Sequence, residues 1–146
     1  MPFLSTTRHA LPYVPTGGQD RVLLDISRLI DSIRALEIYA PTKRRMLVHA
    51  LWEVAVTTGN FYPRFRSQSV TLQVGAPIQR DHIFQKNRII RRLLEDPQYS
   101  SQEAVQNAQC CVVTREEHDA LHRVDPLIDG FERYEAANIV YLDMLQ

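Results

Sequence analysis

The chain has 146 residues, 45% of them hydrophobic and 23% charged, with a formal net charge of zero. That is the size and texture of one globular domain whose core needs no staples. No apolar run approaches a membrane span, and the opening MPFLSTTRHALPYVP lacks a secretion-signal layout, so no membrane partner and a cytoplasmic location are expected.

In chain order, residues 1–19 hold three prolines and two glycines and read as an extended arm. Residues 20–146 read as a single α+β domain. Val22, Leu23, Ile26, Leu29, Ile30, Ile33 and Leu36 recur at helical spacing over residues 20–38. Pro41 separates that helix from a second over residues 43–58, with Thr42 as cap and Met46, Leu47, Ala50, Leu51, Val54 and Ala55 on one face. Residues 20–59 are therefore expected to form a helical scaffold. The segment NFYPRFRSQS interleaves Phe61, Tyr62 and Phe65 with Arg64 and Arg66. Such a loop stacks bases and contacts phosphates, or pins itself to the core by its aromatics.

Strands are expected over Val70–Val74, by alternation, and over Ile78–Phe84, after the turn Gly75-Ala76-Pro77. A helix follows from Gln85 to Leu94, with Ile89, Ile90, Leu93 and Leu94 inward and Lys86, Arg88, Arg91 and Arg92 outward. Ser100 with Glu103, Thr114 with Glu117, and Asp129 with Glu132 have capping-box spacing and place three more helix starts. Cys110–Val113 is a short buried strand. Its two thiols fit a reduced compartment and are too few for a metal knuckle. Ile139–Leu142 is the last strand.

Charge is segregated. Residues 43–92 hold ten basic and two acidic residues, and residues 93–146 hold three basic and eleven acidic ones. A basic middle with an acidic end fits a nucleic-acid face, two halves that pair with each other, or self-association. Arg64, Arg66, Arg88, Arg91 and Arg92 are the candidate contacts to DNA or RNA.

The chemistry-bearing residues lie between Arg80 and Asp125. Asp81 and His82 are adjacent near the end of a strand, and so point to opposite faces unless a bulge re-aims one. His118 and His122 are four apart on the last of the capped helices and share a face. Asp81, His118 and His122 could hold a divalent metal with positions left open for phosphate and water, and His82 could take a proton near neutrality. Arg88, Arg91 or Arg92 could steady a phosphate. The bland alternative is solvated polar residues on a helix, with Asp81 a cap or an ion-pair partner of Arg80. His9 and His49 read as structural.

The order DHI on a strand, a second strand, then a helix with HxxxH resembles the ββα-metal fold of HNH endonucleases. The segments EEHDAL and GFERYEAANI look like those of small phage and bacterial HNH-like proteins. The resemblance implies a ββα-metal-like module within residues 70–142, packed on the N-terminal helical pair. It implies cleavage of nucleic-acid phosphodiester bonds with magnesium, manganese, zinc or nickel. Asp81 matches the first metal ligand, His82 the water-activating histidine, and His118 and His122 the helix ligands. The segment between His82 and His118 is longer than a compact ββα hairpin needs, and Asn87 and Asn107 are the candidates for the mid-motif Asn. A catalytically inactive relative, a phage- or defence-related adaptor or inhibitor holding a protein or nucleic-acid partner, is the alternative.

Overall fold

The computed structural model describes residues 13–59, 63–73 and 75–145. Within them lie seven helices and one four-stranded mixed sheet, an α+β architecture. The N-terminal pair is α1 (Gln19–Ala35) and α2 (Ala40–Thr57), packed on each other. They meet α4 (Lys86–Glu95) and α5 (Ser101–Asn107) in one apolar core that includes Ile30, Leu47, Leu51, Ile90 and Tyr99. No described helix is long and apolar enough to cross a membrane.

The expected stripe of α1 is narrower than its spacing implies. Ile26, Ile30 and Ile33 are buried, but Val22, Leu29 and Leu36 are 45%, 48% and 41% exposed. Pro41 does not stand between helices. It occupies the first turn of α2, where its missing N–H has no partner to lose, and Thr42 does not cap.

Two further segments fold differently from expectation. Phe65–Ser67, expected in a loop, is strand β1, parallel to β3 (Cys110–Thr114) and antiparallel to β4 (Tyr141–Asp143). Residues 70–72, expected as strand, belong to the one-turn helix α3 (Gln68–Leu72). The Ser67 hydroxyl caps it, accepting from the Val70 amide at 3.2 Å, and the alternation is idle because only Val70 is buried while Leu72 is 71% exposed. Phe61, Tyr62, Val74 and His9 lie outside the described residues.

Strand order is β2-β3-β1-β4, with β2 (Ile78–His82) antiparallel to β3. Central β3 is buried at every position, so it reads as a continuous apolar run. Period-two alternation sorts the sheet into two faces. Phe65, Asp81, Cys111 and Val113 share the face closed by α6 (Arg115–His122) and α7 (Phe131–Ala136), where Leu121, Tyr134 and Ile139 complete a second core. Arg66, Ile78, Arg80, His82 and Val112 share the other, where Val70 packs.

The expected capping box of α6 is present. The Thr114 hydroxyl accepts from the Glu117 amide at 3.1 Å, and the Glu117 carboxylate accepts from the Thr114 amide at 2.9 Å. Ser67 also donates to that carboxylate at 2.5 Å, tying β1 to α6. Ser100 caps α5 as expected. Asp129 does not cap α7. Gly130 holds that position, and the Asp129 carboxylate accepts from the Gln85 amide at 2.8 Å, fixing the start of α4.

The burial pattern sets a stability prediction. Leu51→Ala, at a fully buried site, should lower unfolding free energy by about 2–5 kcal/mol, whereas Leu29→Ala should change it by less than about 0.5 kcal/mol. Urea melts of both variants check this. Equal losses would mean that the outer row of α1 is covered after all.

Candidate functional site

Asp81, His82, His118 and His122 all line one cavity of about 400 Å³ at the free edge of β2. Asp81 and His82 reach it from opposite faces of the strand, without a bulge. Trp52, Gln79, Arg80, Lys86, Asp125 and Arg133 also border the space.

Asp81 is 5% exposed and its carboxylate is held from α7. The Tyr134 hydroxyl donates to Oδ2 at 2.6 Å, and the Arg133 guanidinium spans both oxygens at 3.3 and 3.4 Å. The same guanidinium donates to the carbonyls of His82 at 3.0 Å and Ile83 at 3.3 Å. The ion-pair partner of Asp81 is thus Arg133 and not Arg80. Burial pushes the Tyr134 hydroxyl and the Cys111 thiol well above their ordinary ranges and the Cys110 thiol up to about 12, so all three stay protonated at neutral pH.

His82 lies on the other face, edge-on to Trp52 with ring centroids 5.3 Å apart. Burial, then the positive charge of Lys86, pushes its pKa down to about 4. Its Nε2 is shut off from solvent and has no hydrogen-bond partner among the described residues. Such an imidazole is neutral at pH 7 and is a weak base there. Arg80 and Lys86 lie over the Trp52 ring at 4.6 and 5.1 Å, within cation–π range.

On α6, the rings of His118 and His122 are 4.3 Å apart. The His122 Nδ1 donates to the His118 carbonyl at 2.8 Å, which turns Nε2 away from that bond. Burial, then the neighbouring His122, lowers the pKa of His118 and keeps it neutral. Two imidazoles on one helix face fit a divalent ion, but the carboxylate does not. Asp81 is held by Arg133 and Tyr134, and among the described residues no three His, Cys, Asp or Glu side chains group closely enough to share an ion.

The expected nucleic-acid arginines do not form one face. Arg66 is 1% exposed and donates to the Pro63 carbonyl at 3.2 Å, so as a phosphate contact it is corrected: strand β1 carries it into the sheet. Arg64 forms a two-pronged pair with Asp143 at 2.8 and 2.6 Å, at the β4 edge of the sheet. Arg88 holds the Pro126 and Leu127 carbonyls of the loop after α6. Arg92 lies 3.8 Å over the Tyr99 ring, beside Asp96. Arg91 is exposed on α4, and so is His49 on α2.

Sequence reasoning missed Trp52, Lys86, Arg133 and Tyr134 as parts of this site. Trp52 is the single tryptophan and stands off the apolar stripe of α2, which was a usable signal. Arg133 and Tyr134 sit on a six-residue helix, too short for periodicity to show which way they face. Compared with known protein families, curated proteins and solved structures, the chain matches none.

The depressed His82 pKa sets a pH dependence. Between pH 6.5 and about 4 the unfolded chain binds a proton at His82 that the folded chain does not, so stability falls as pH falls through that window. The loss at full protonation is on the order of 3 kcal/mol. Urea melts near pH 7.5 and near pH 4.5 should show a smaller acid loss for His82→Gln than for wild type. An identical acid loss in the two proteins would assign the effect elsewhere.

Proposed function

We propose that the chain is an HNH-like endonuclease that cleaves nucleic-acid phosphodiester bonds at the β2-edge cavity with a divalent ion. The observation that supports this is convergence. Asp81 and His82 are separated from His118 and His122 by two helices and a strand, yet all four border the same space. His118 and His122 would hold the ion, joined by Asp81 if its pair with Arg133 opens. Such an ion would polarise the phosphodiester and acidify a bound water. Arg80 and Lys86, rather than the row of arginines on α4, would bring positive charge to the phosphate. A phosphate there would offset the two cations that depress His82 and so raise its basicity toward the useful range.

One observation favours a second reading, an HNH-like protein that holds a nucleic-acid or protein partner without cutting. Asp81 is engaged by Arg133 and Tyr134, so a metal is not its present partner. The same plasmid assay separates the two.

Wild type should nick supercoiled plasmid with at least one of magnesium, manganese, zinc and nickel. His82→Ala and His118→Ala should each slow nicking by roughly 100-fold or more while the circular dichroism spectrum is unchanged. Full nicking by both variants would move the chemistry out of this cavity. A wild type that never nicks, yet binds the plasmid with an affinity that falls steeply with salt, would decide for the partner-holding reading.

A further inference from the structure

Several cations near the cavity are not used by the fold. Arg64, Arg88, Arg92 and Arg133 each have a carboxylate within 4.0 Å. Among the described residues no carboxylate stands that close to Arg44, Arg45 or Lys86. The start of α2, residues 40–46, holds Lys43, Arg44 and Arg45 and no acid. A helix dipole favours acids at that end, so the cluster does not serve the helix. Lys43 is tied to α1 through the Arg34 carbonyl at 3.0 Å, but Arg44 and Arg45 are exposed.

Both exposed arginines stand beside the cavity. The Arg44 guanidinium donates to Asn87 Oδ1 at 3.4 Å, and Asn87 borders the cavity. Arg45 lies two turns of α2 before Trp52, so the two share a side of the helix. Trp52 borders the cavity in turn, with Arg80 and Lys86 over its ring. The carboxylates on that border are Asp81, taken by Arg133, and Asp125, whose Oδ1 accepts from the Leu127 amide at 2.9 Å. Arg44 and Arg45 thus extend the positive border of the cavity outward over α2.

We propose that Arg44 and Arg45 form, with Lys86 and Arg80, a phosphate-binding track along which the backbone of a nucleic-acid strand reaches the cavity. This inference rests on the nucleic-acid reading given above and adds the surface that holds the strand. An acidic protein would also meet the charge, but an indole set among the cations favours a strand that carries bases as well as phosphates. Contacts of this kind position the strand and read no sequence.

Fluorescence anisotropy of a labelled DNA oligonucleotide in EDTA, over a range of salt, tests it. Arg44→Glu with Arg45→Glu should weaken binding on the order of ten-fold, and the log–log salt slope should shrink by about one per lost contact. Arg21→Glu with Arg28→Glu makes the same change in net charge on α1 and should lose far less. Arg44→Lys with Arg45→Lys keeps the charges and should bind as wild type does. Both positions are exposed, so circular dichroism of every variant should match wild type. Oligonucleotides of unrelated sequence should bind alike.

Unchanged affinity in the α2 charge reversal, with wild type still nicking plasmid, overturns this inference and leaves the cleavage reading standing. An equal loss in the α1 reversal also overturns it, since net charge and not this surface would then set binding. So does a poly-glutamate peptide that binds wild type as tightly as the DNA does and loses its hold in the α2 reversal, which would make the surface a dock for an acidic protein. A wild type that neither binds nor nicks DNA overturns both readings.

Discussion

A carboxylate buried on an edge strand has to be neutralised from the layer that covers it. Asp81 on β2 is covered by α7, and Arg133 and Tyr134 on that helix supply the charge and the short hydrogen bond. The pairing joins residues 52 and 53 positions apart, so β2 and α7 are positioned together or not at all. Removing one partner of such a pair is far more harmful than replacing both, because the survivor stays buried and charged. Arg133 also closes the carbonyls where the chain leaves β2, which gives α7 a second hold on the same strand end. This joint fixes the wall of the cavity where Asp81 and Arg133 meet.

The segregated charge has a similar resolution. Arg64 with Asp143 and Arg88 with Asp129 join the basic stretch 43–92 to the acidic stretch 93–146, and Arg133 with Asp81 ties the same stretches with the charges the other way round. The two halves of the sequence therefore meet within the fold. The outward pairs are each worth little, since solvent screens them and long side chains must be held still. Their effect is on the field. They offset part of the positive face that the sequence implies, while Arg80, Lys86 and Arg133 are the cations that border the cavity.

Much of the architecture was legible because it rests on long periodic segments or on caps. The helix pair, the α4 amphipath, the buried β3 and the Thr114 capping box each carry their signal within a few residues of chain. What was not legible depends on neighbours distant in sequence. Strand β1 is three residues long and is a strand only because β3 and β4 flank it. Val70 and Leu72 alternate as strand residues do, but no neighbour receives them as one, and the Ser67 cap favours a turn of helix. Asp129 has the right spacing to cap α7 and is instead taken by the Gln85 amide. The site divides in the same way. Asp81, His82, His118 and His122 could be picked by residue type and spacing. Trp52, Arg133 and Tyr134 reach the site only through tertiary packing.

The alternation of β2 seemed an obstacle to a joint site, since Asp81 and His82 must face opposite ways. In an interior strand it would be one, because the sheet itself would part the two side chains. At an edge there is no further strand to part them. The order β2-β3-β1-β4 puts β2 at the rim, and the cavity wraps around it, bordered by His118 and Arg133 with Asp81 on one side and by Trp52 and Arg80 with His82 on the other. The two residues then see different surroundings by construction. Asp81 meets a guanidinium and a hydroxyl, while His82 meets an indole and two cations. A carboxylate bound by a guanidinium and a hydroxyl, and an imidazole kept neutral by burial beside cations, stand one residue apart because pleat and edge position send them to different surroundings.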